Sequence, residues 1–124
     1  VHDLAIAMTK VLGNSNAIGQ IYNISGEKAV TFDGLARACA EAAGKDPSAL
    51  KIVHYDPKQF DFGKKKAFPM RTQHFFADIH KAQTELGWKP SFDLVSGLKD
   101  SFENDFLKSN RTDIDFSTDD QILK

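Results

Sequence analysis

The chain has 124 residues, 41% hydrophobic and 27% charged. That is apolar material for one core and charge enough for solubility, which argues against a disordered, fibrous or membrane-spanning chain and leaves room for one domain or part of one. Sixteen Lys and Arg against seventeen Asp and Glu sum to −1, which, taken whole, argues against holding nucleic acid by overall charge.

In chain order, Asp3 to Leu12 carries apolar residues at 4, 6, 7, 8, 11 and 12, a helical stripe that stops at Gly13. Asn14 to Gly19 reads as a turn, and Gln20 to Ser25 as a short strand ended by Gly26. Thr31 is a suitable cap for a helix over Phe32 to Ala43, with Phe32, Leu35, Ala36, Cys39 and Ala43 on one face and Gly44 closing it. The only cysteine, Cys39, excludes an internal disulfide and reads as a small buried helix residue rather than a reactive thiol. Leu50 to Tyr55 alternates like a second strand.

From Asp56 to Phe76 no period survives, and two prolines, one glycine and three consecutive lysines mark a long loop. Asp78 is placed to cap a helix over Ile79 to Leu86 that Gly87 ends. Asp93 opens a last helix striped with Leu94, Leu98, Phe102 and Phe106. These readings divide the chain into a body, 1–108, and an acidic tail, 109–124.

The near-zero net charge conceals a segregation. Residues 51–81 hold seven basic and three acidic side chains, or +4, whereas residues 100–124 hold three basic and seven acidic, or −4. Five of the ten phenylalanines (60, 62, 68, 75 and 76) fall in the basic window. Lysines interleaved with aromatics suit single-stranded or looped nucleic acid, because ammonium groups neutralise phosphates and rings stack unpaired bases. The plainer alternative is a solvated loop tip pinned to the core by its phenylalanines.

The chain has no GxGxxG, no P-loop and no HExxH. His2, His54, His74 and His80 show no metal-ligand spacing, so no metal ligand is assigned, and the tail aspartates read as solvated rather than Mg²⁺-binding. His74 adjoins Arg71 and Phe75 in the basic loop, where an imidazole titrating near neutrality suits proton transfer in RNA cleavage.

Three stretches resemble the C-terminal half of the extended short-chain dehydrogenase/reductases, the sugar-nucleotide epimerase and dehydratase group. They are Asp3-Leu4-Ala5-Ile6-Ala7, the Tyr22 to Thr31 segment, and Ala77-Asp78-Ile79-His80-Lys81-Ala82 continuing through Glu85-Leu86-Gly87-Trp88-Lys89-Pro90. Val53 to Lys58, Phe60 to Pro69, Gln73 to Ala77 and Asp115 to Leu123 resemble, more narrowly, atypical chloroplast members of that family that bind RNA.

The resemblance implies an α/β, Rossmann-like fold, present here as its C-terminal part: a few short strands, three to four helices and a long basic loop. The NAD(P) site would lie in an N-terminal half outside this chain, so no cofactor-binding residue is assigned. It implies a place in the chloroplast stroma, binding to plastid transcripts, and Mg²⁺-stimulated endoribonuclease activity at stem-loops. It also implies association with ribosomes, plastid RNA polymerase, or a paralogue or second copy.

On this reading Lys58, Lys64, Lys65, Lys66 and Arg71 meet phosphates, Phe75 and Phe76 stack bases, and His74 moves a proton. Two alternatives from other classes are half of a nicotinamide-dependent nucleotide-sugar epimerase or dehydratase, and an assembly module docking through the Phe-rich loop.

Overall fold

The computed structural model describes residues 1–65, 75–109 and 113–124. Helix α1 spans His2–Val11, α2 Phe32–Ala42, α3 His80–Leu86, α4 Leu94–Ser101 and α5 Ser117–Ile122. Short 3-10 turns occupy Ser15–Ala17 and Pro57–Gln59, and a π-helical turn, Phe102–Phe106, continues α4.

The ends of these helices follow from single side chains. Thr31 Oγ1 accepts from the Gly34 amide at 3.1 Å to open α2, and Asp93 Oδ1 accepts from the Ser96 amide at 2.8 Å to open α4. Each satisfies a donor that the first helical turn leaves without an intrahelical partner. Asp78 Oδ1 does the same for the His80 amide at 2.8 Å. Gly87 takes φ +59°, the left-handed conformation that costs other residues strain, and its amide and that of Trp88 both turn back onto the Ala82 carbonyl.

The core is small. Ala7 of α1 meets Ile79, Ala82, Leu86 and Trp88 on and beside α3, with Ala17, Tyr22 and Ile24 packed against the cluster. Trp88 is 1% exposed, and its indole N–H donates to the Asp3 carbonyl at 2.9 Å, which satisfies the ring's polar end. The Asp3 carboxylate then accepts from the amides of Ser91 at 2.8 Å and Phe92 at 3.3 Å. One residue at the start of α1 therefore clamps the chain that runs from α3 to α4. Helix α2 packs along α4 and buries Ala38 and Ala42.

Three expectations need correction. First, the α/β, Rossmann-like fold with a few short strands is not what forms, because the described residues contain helices and no strand. Segment 20–25 does bury alternate residues, Tyr22 and Ile24 inward and Ile21 outward, but its neighbour is α3 rather than a second strand. Side chains hold it: the Tyr22 hydroxyl donates to Glu85 Oε2 at 2.8 Å, and Asn23 Nδ2 donates to the Asp78 carbonyl at 3.2 Å. Period-two burial reports one-sided packing; a strand also requires a backbone ladder. In segment 50–55 the alternation breaks after Val53, since Leu50, Ile52 and Tyr55 are half-buried and Lys51, Val53 and His54 exposed, and no ladder forms among the described residues.

Second, the buried stripe of α2 runs through Ala38 and Ala42, and Cys39 is exposed. Five alanines between 36 and 43 make more than one stripe readable, and the small pair that lets α2 pack closely is the one buried. Third, many apolar residues of α1 face solvent, among them Leu4, Ile6 and Met8. Its periodicity gave a stripe, but only Ala7 is buried.

Candidate nucleic-acid interface

The basic segment begins as extended chain after Leu50 and is shaped by its own polar and aromatic side chains. Asp56 Oδ1 accepts from the Lys58 amide at 3.0 Å, and Pro57, whose fixed φ suits the first turn position, starts the turn that exposes Lys58. The rings of Phe60 and Phe62 stack at 5.7 Å, with Tyr55 edge-on to both at 5.6 and 6.5 Å. These three half-buried rings pack on one another within the loop, and none of them belongs to the core cluster to which the plainer reading pinned the phenylalanines.

Beyond them the chain reverses. Asp61 Oδ1 accepts from the Gly63 amide at 2.9 Å, Gly63 takes φ +58°, and the Lys65 amide donates to the Phe62 carbonyl at 3.0 Å. The turn lifts Lys64 and Lys65 onto the surface, where both are exposed. Phe75 and Phe76 are 85% and 60% exposed, an unusual display for phenylalanine and the geometry a stacking platform needs. Lys66, Arg71 and His74 lie outside the described residues.

Lys65 does not stand alone. Its ammonium donates to Asp115 Oδ2 at 2.6 Å and to Ser117 Oγ at 2.8 Å, so the tail reaches the loop tip across fifty residues. The Lys65 hydrogen bond, reinforced by the hydroxyl and amide of Ser117, holds the Asp115 carboxyl far below the usual aspartate range. The carboxylate form that pairs with Lys65 is therefore retained throughout neutral and mildly acidic pH.

The sequence missed one pairing entirely. His54 Nε2 lies 2.9 Å from Asp33 Oδ1 and 3.1 Å from Oδ2, an exposed imidazole–carboxylate pair that joins the basic segment to the first turn of α2. Nothing in a separation of 21 residues signals it; only the packing of 50–55 beside α2 creates it.

Among the described residues no group of three His, Cys, Asp or Glu is arranged to hold a metal ion. No helix among them is long and apolar enough to cross a membrane. An open depression between residues 26–28 and the start of α4 is lined by Lys28, Phe92, Asp93 and Leu94, and Asp93 is already engaged by Ser96.

No protein-family model matches the chain, and no solved structure matches it. Over 99% of its length the chain is 62% identical to a curated relative, the chloroplast stem-loop binding protein of 41 kDa b from Arabidopsis thaliana. The chain spans 32% of that protein's length, its C-terminal portion. Along nearly its whole length it is thus similar to the C-terminal portion of a relative named as a chloroplast stem-loop binding protein.

Proposed function

We propose that this chain supplies an RNA-contacting segment to a chloroplast protein that binds stem-loop transcripts. The observation that carries the reading is the 62% identity to a stem-loop binding protein, and the exposed Lys58, Lys64, Phe75 and Phe76 support it. Lys58, Lys64, Lys65, Lys66 and Arg71 neutralise phosphates, while Phe75 and Phe76 offer faces to unpaired loop bases. His74 is the group proposed for proton transfer in a Mg²⁺-stimulated cleavage of the bound hairpin. The body, 1–108, carries this surface, and 109–124 forms a separate acidic tail.

A salt titration tests the reading. Wild-type chain and a Lys64→Ala, Lys65→Ala, Lys66→Ala variant are titrated with a labelled RNA hairpin between about 50 and 200 mM salt, each lost phosphate contact flattening the log–log slope by about 0.7–0.9. A weaker, flatter dependence in the variant is expected. An unchanged affinity and slope would remove the loop from the interface. For cleavage, His74→Ala is expected to abolish Mg²⁺-stimulated scission while hairpin affinity stays within about two-fold, since phosphate contacts dominate binding; scission that survives the substitution assigns the proton transfer elsewhere.

A further inference from the structure

We infer that the acidic tail is a built-in competitor for the tip of the basic loop, with the Asp115 carboxylate occupying the place of an RNA phosphate on Lys65. The inference rests on the reading of that loop as RNA-contacting.

Three observations carry it. The contact is of the kind an ammonium makes with a phosphate: Lys65 Nζ to Asp115 Oδ2 is 2.6 Å, with Ser117 Oγ as a second acceptor at 2.8 Å. The carboxylate is preset for it, because its other oxygen accepts from the Ser117 amide at 2.9 Å, and α5, starting at Ser117, carries Asp119 and Asp120 in its first turn. The charges are complementary at the scale of whole segments, a −4 stretch ending on a +4 one.

The contact is also displaceable. The Lys65 and Asp115 side chains are 57% and 64% exposed, and ion pairs that open to water are weak and salt-screened. A hairpin presenting a row of phosphates outcompetes one carboxylate, but it must first do so. Free chain and RNA-bound chain then differ in where the tail lies, and tail charge sets the affinity without touching RNA.

The test is a double-mutant cycle on the intact chain, read as hairpin affinity at low and moderate salt, with far-ultraviolet circular dichroism confirming that each variant folds. Asp115→Asn with Ser117→Ala is expected to tighten binding about two- to five-fold at low salt, the gain shrinking as salt screens the pair. In a Lys65→Ala background the same pair of changes is expected to do nothing. If Lys64→Ala with Lys65→Ala weakens binding yet the tail variant leaves affinity unchanged, the competitor role is overturned and the RNA reading stands. A gain that persists without Lys65 overturns it too, as general repulsion. If the lysine variant binds RNA as well as wild type, the RNA reading itself has failed. A carbodiimide, which activates the carboxylate for attack by the amine and leaves as a urea carrying the elements of water, supplies an independent measurement: a Lys65–Asp115 isopeptide is expected in free chain and is suppressed by hairpin RNA. Equal cross-linking with and without RNA overturns the competition.

Discussion

Asp3 does more for this chain than its position suggests. Its carbonyl receives the Trp88 indole and its carboxylate receives two backbone amides, so α1, α3 and the approach to α4 meet at one residue. The Ser91 amide is the main cause of the lowered pKa of this carboxyl, and the Phe92 amide adds to it against the opposing effect of burial. A carboxyl whose folded pKa is depressed stabilises the fold fully above its unfolded value, about 3.9, and loses that contribution as pH falls toward the folded value. Asp3→Ala is expected to lower stability by about 1–3 kcal/mol at neutral pH, measured by urea denaturation followed by circular dichroism. Asp3→Asn should differ from wild type at pH 7, and the gap should narrow as pH falls below about 3.9 and close only once the lowered folded value is passed; a gap that stays constant with pH would contradict the assignment. The sequence marks Asp3 only as a helix start, since its partners lie more than eighty residues away. Lys65 shows the same limit: its charge is legible, its partner in the tail is not.

Elements were most legible where punctuation is local. Thr31, Asp78, Asp93, Gly44 and Gly87 all sit where their chemistry places a helix end, because capping involves only two to four neighbouring residues. Thr31→Ala is expected to cost about 1 kcal/mol, and Gly87→Ala a similar amount through its left-handed backbone, both read as shifts in the urea midpoint. A Gly87→Ala variant as stable as wild type would show that the α3 terminus relaxes to another conformation. Segments 20–25 and 50–55 were the least legible. Burial alternates over 21–24 but breaks after Val53 in the second segment, and whether an extended segment pairs with a strand or lies against a helix is decided by chain from elsewhere. The aromatic residues of the loop divide in the same way: Phe60 and Phe62 turn to each other, whereas Phe75 and Phe76 face solvent, and their spacing alone does not separate the two roles.

At the scale of the molecule, averages misled and distributions informed. A net charge of −1 excluded little once +4 and −4 were found on separate segments that meet, among the described residues, in the Lys65–Asp115 ion pair. Hydrophobic content of 41% likewise says nothing of where the apolar atoms lie, and here Leu4, Met8, Leu12, Ile18 and Ile21 are all exposed. Exposed apolar residues in that number favour association. The chain is therefore expected to self-associate as its concentration rises, and Leu4→Gln with Met8→Gln to reduce this in light scattering; scattering that stays flat with concentration in the wild type would contradict it. The narrower resemblance, read from Val53 to Lys58, Phe60 to Pro69, Gln73 to Ala77 and Asp115 to Leu123, extends along nearly the whole chain, as 62% identity over 99% of it shows.

The burial of Trp88 has a practical consequence. It is the only tryptophan, it is 1% exposed, and it lies in the core rather than in the basic loop or the tail. Its fluorescence is a single-site optical reporter of the α1–α3 contact, blue-shifted while the core is closed and insensitive to a base stacking on Phe75 or to the tail leaving Lys65. Hairpin RNA that binds without moving this emission leaves the core as it was; a red shift on binding would mean that the transcript rearranges the body as well as the loop.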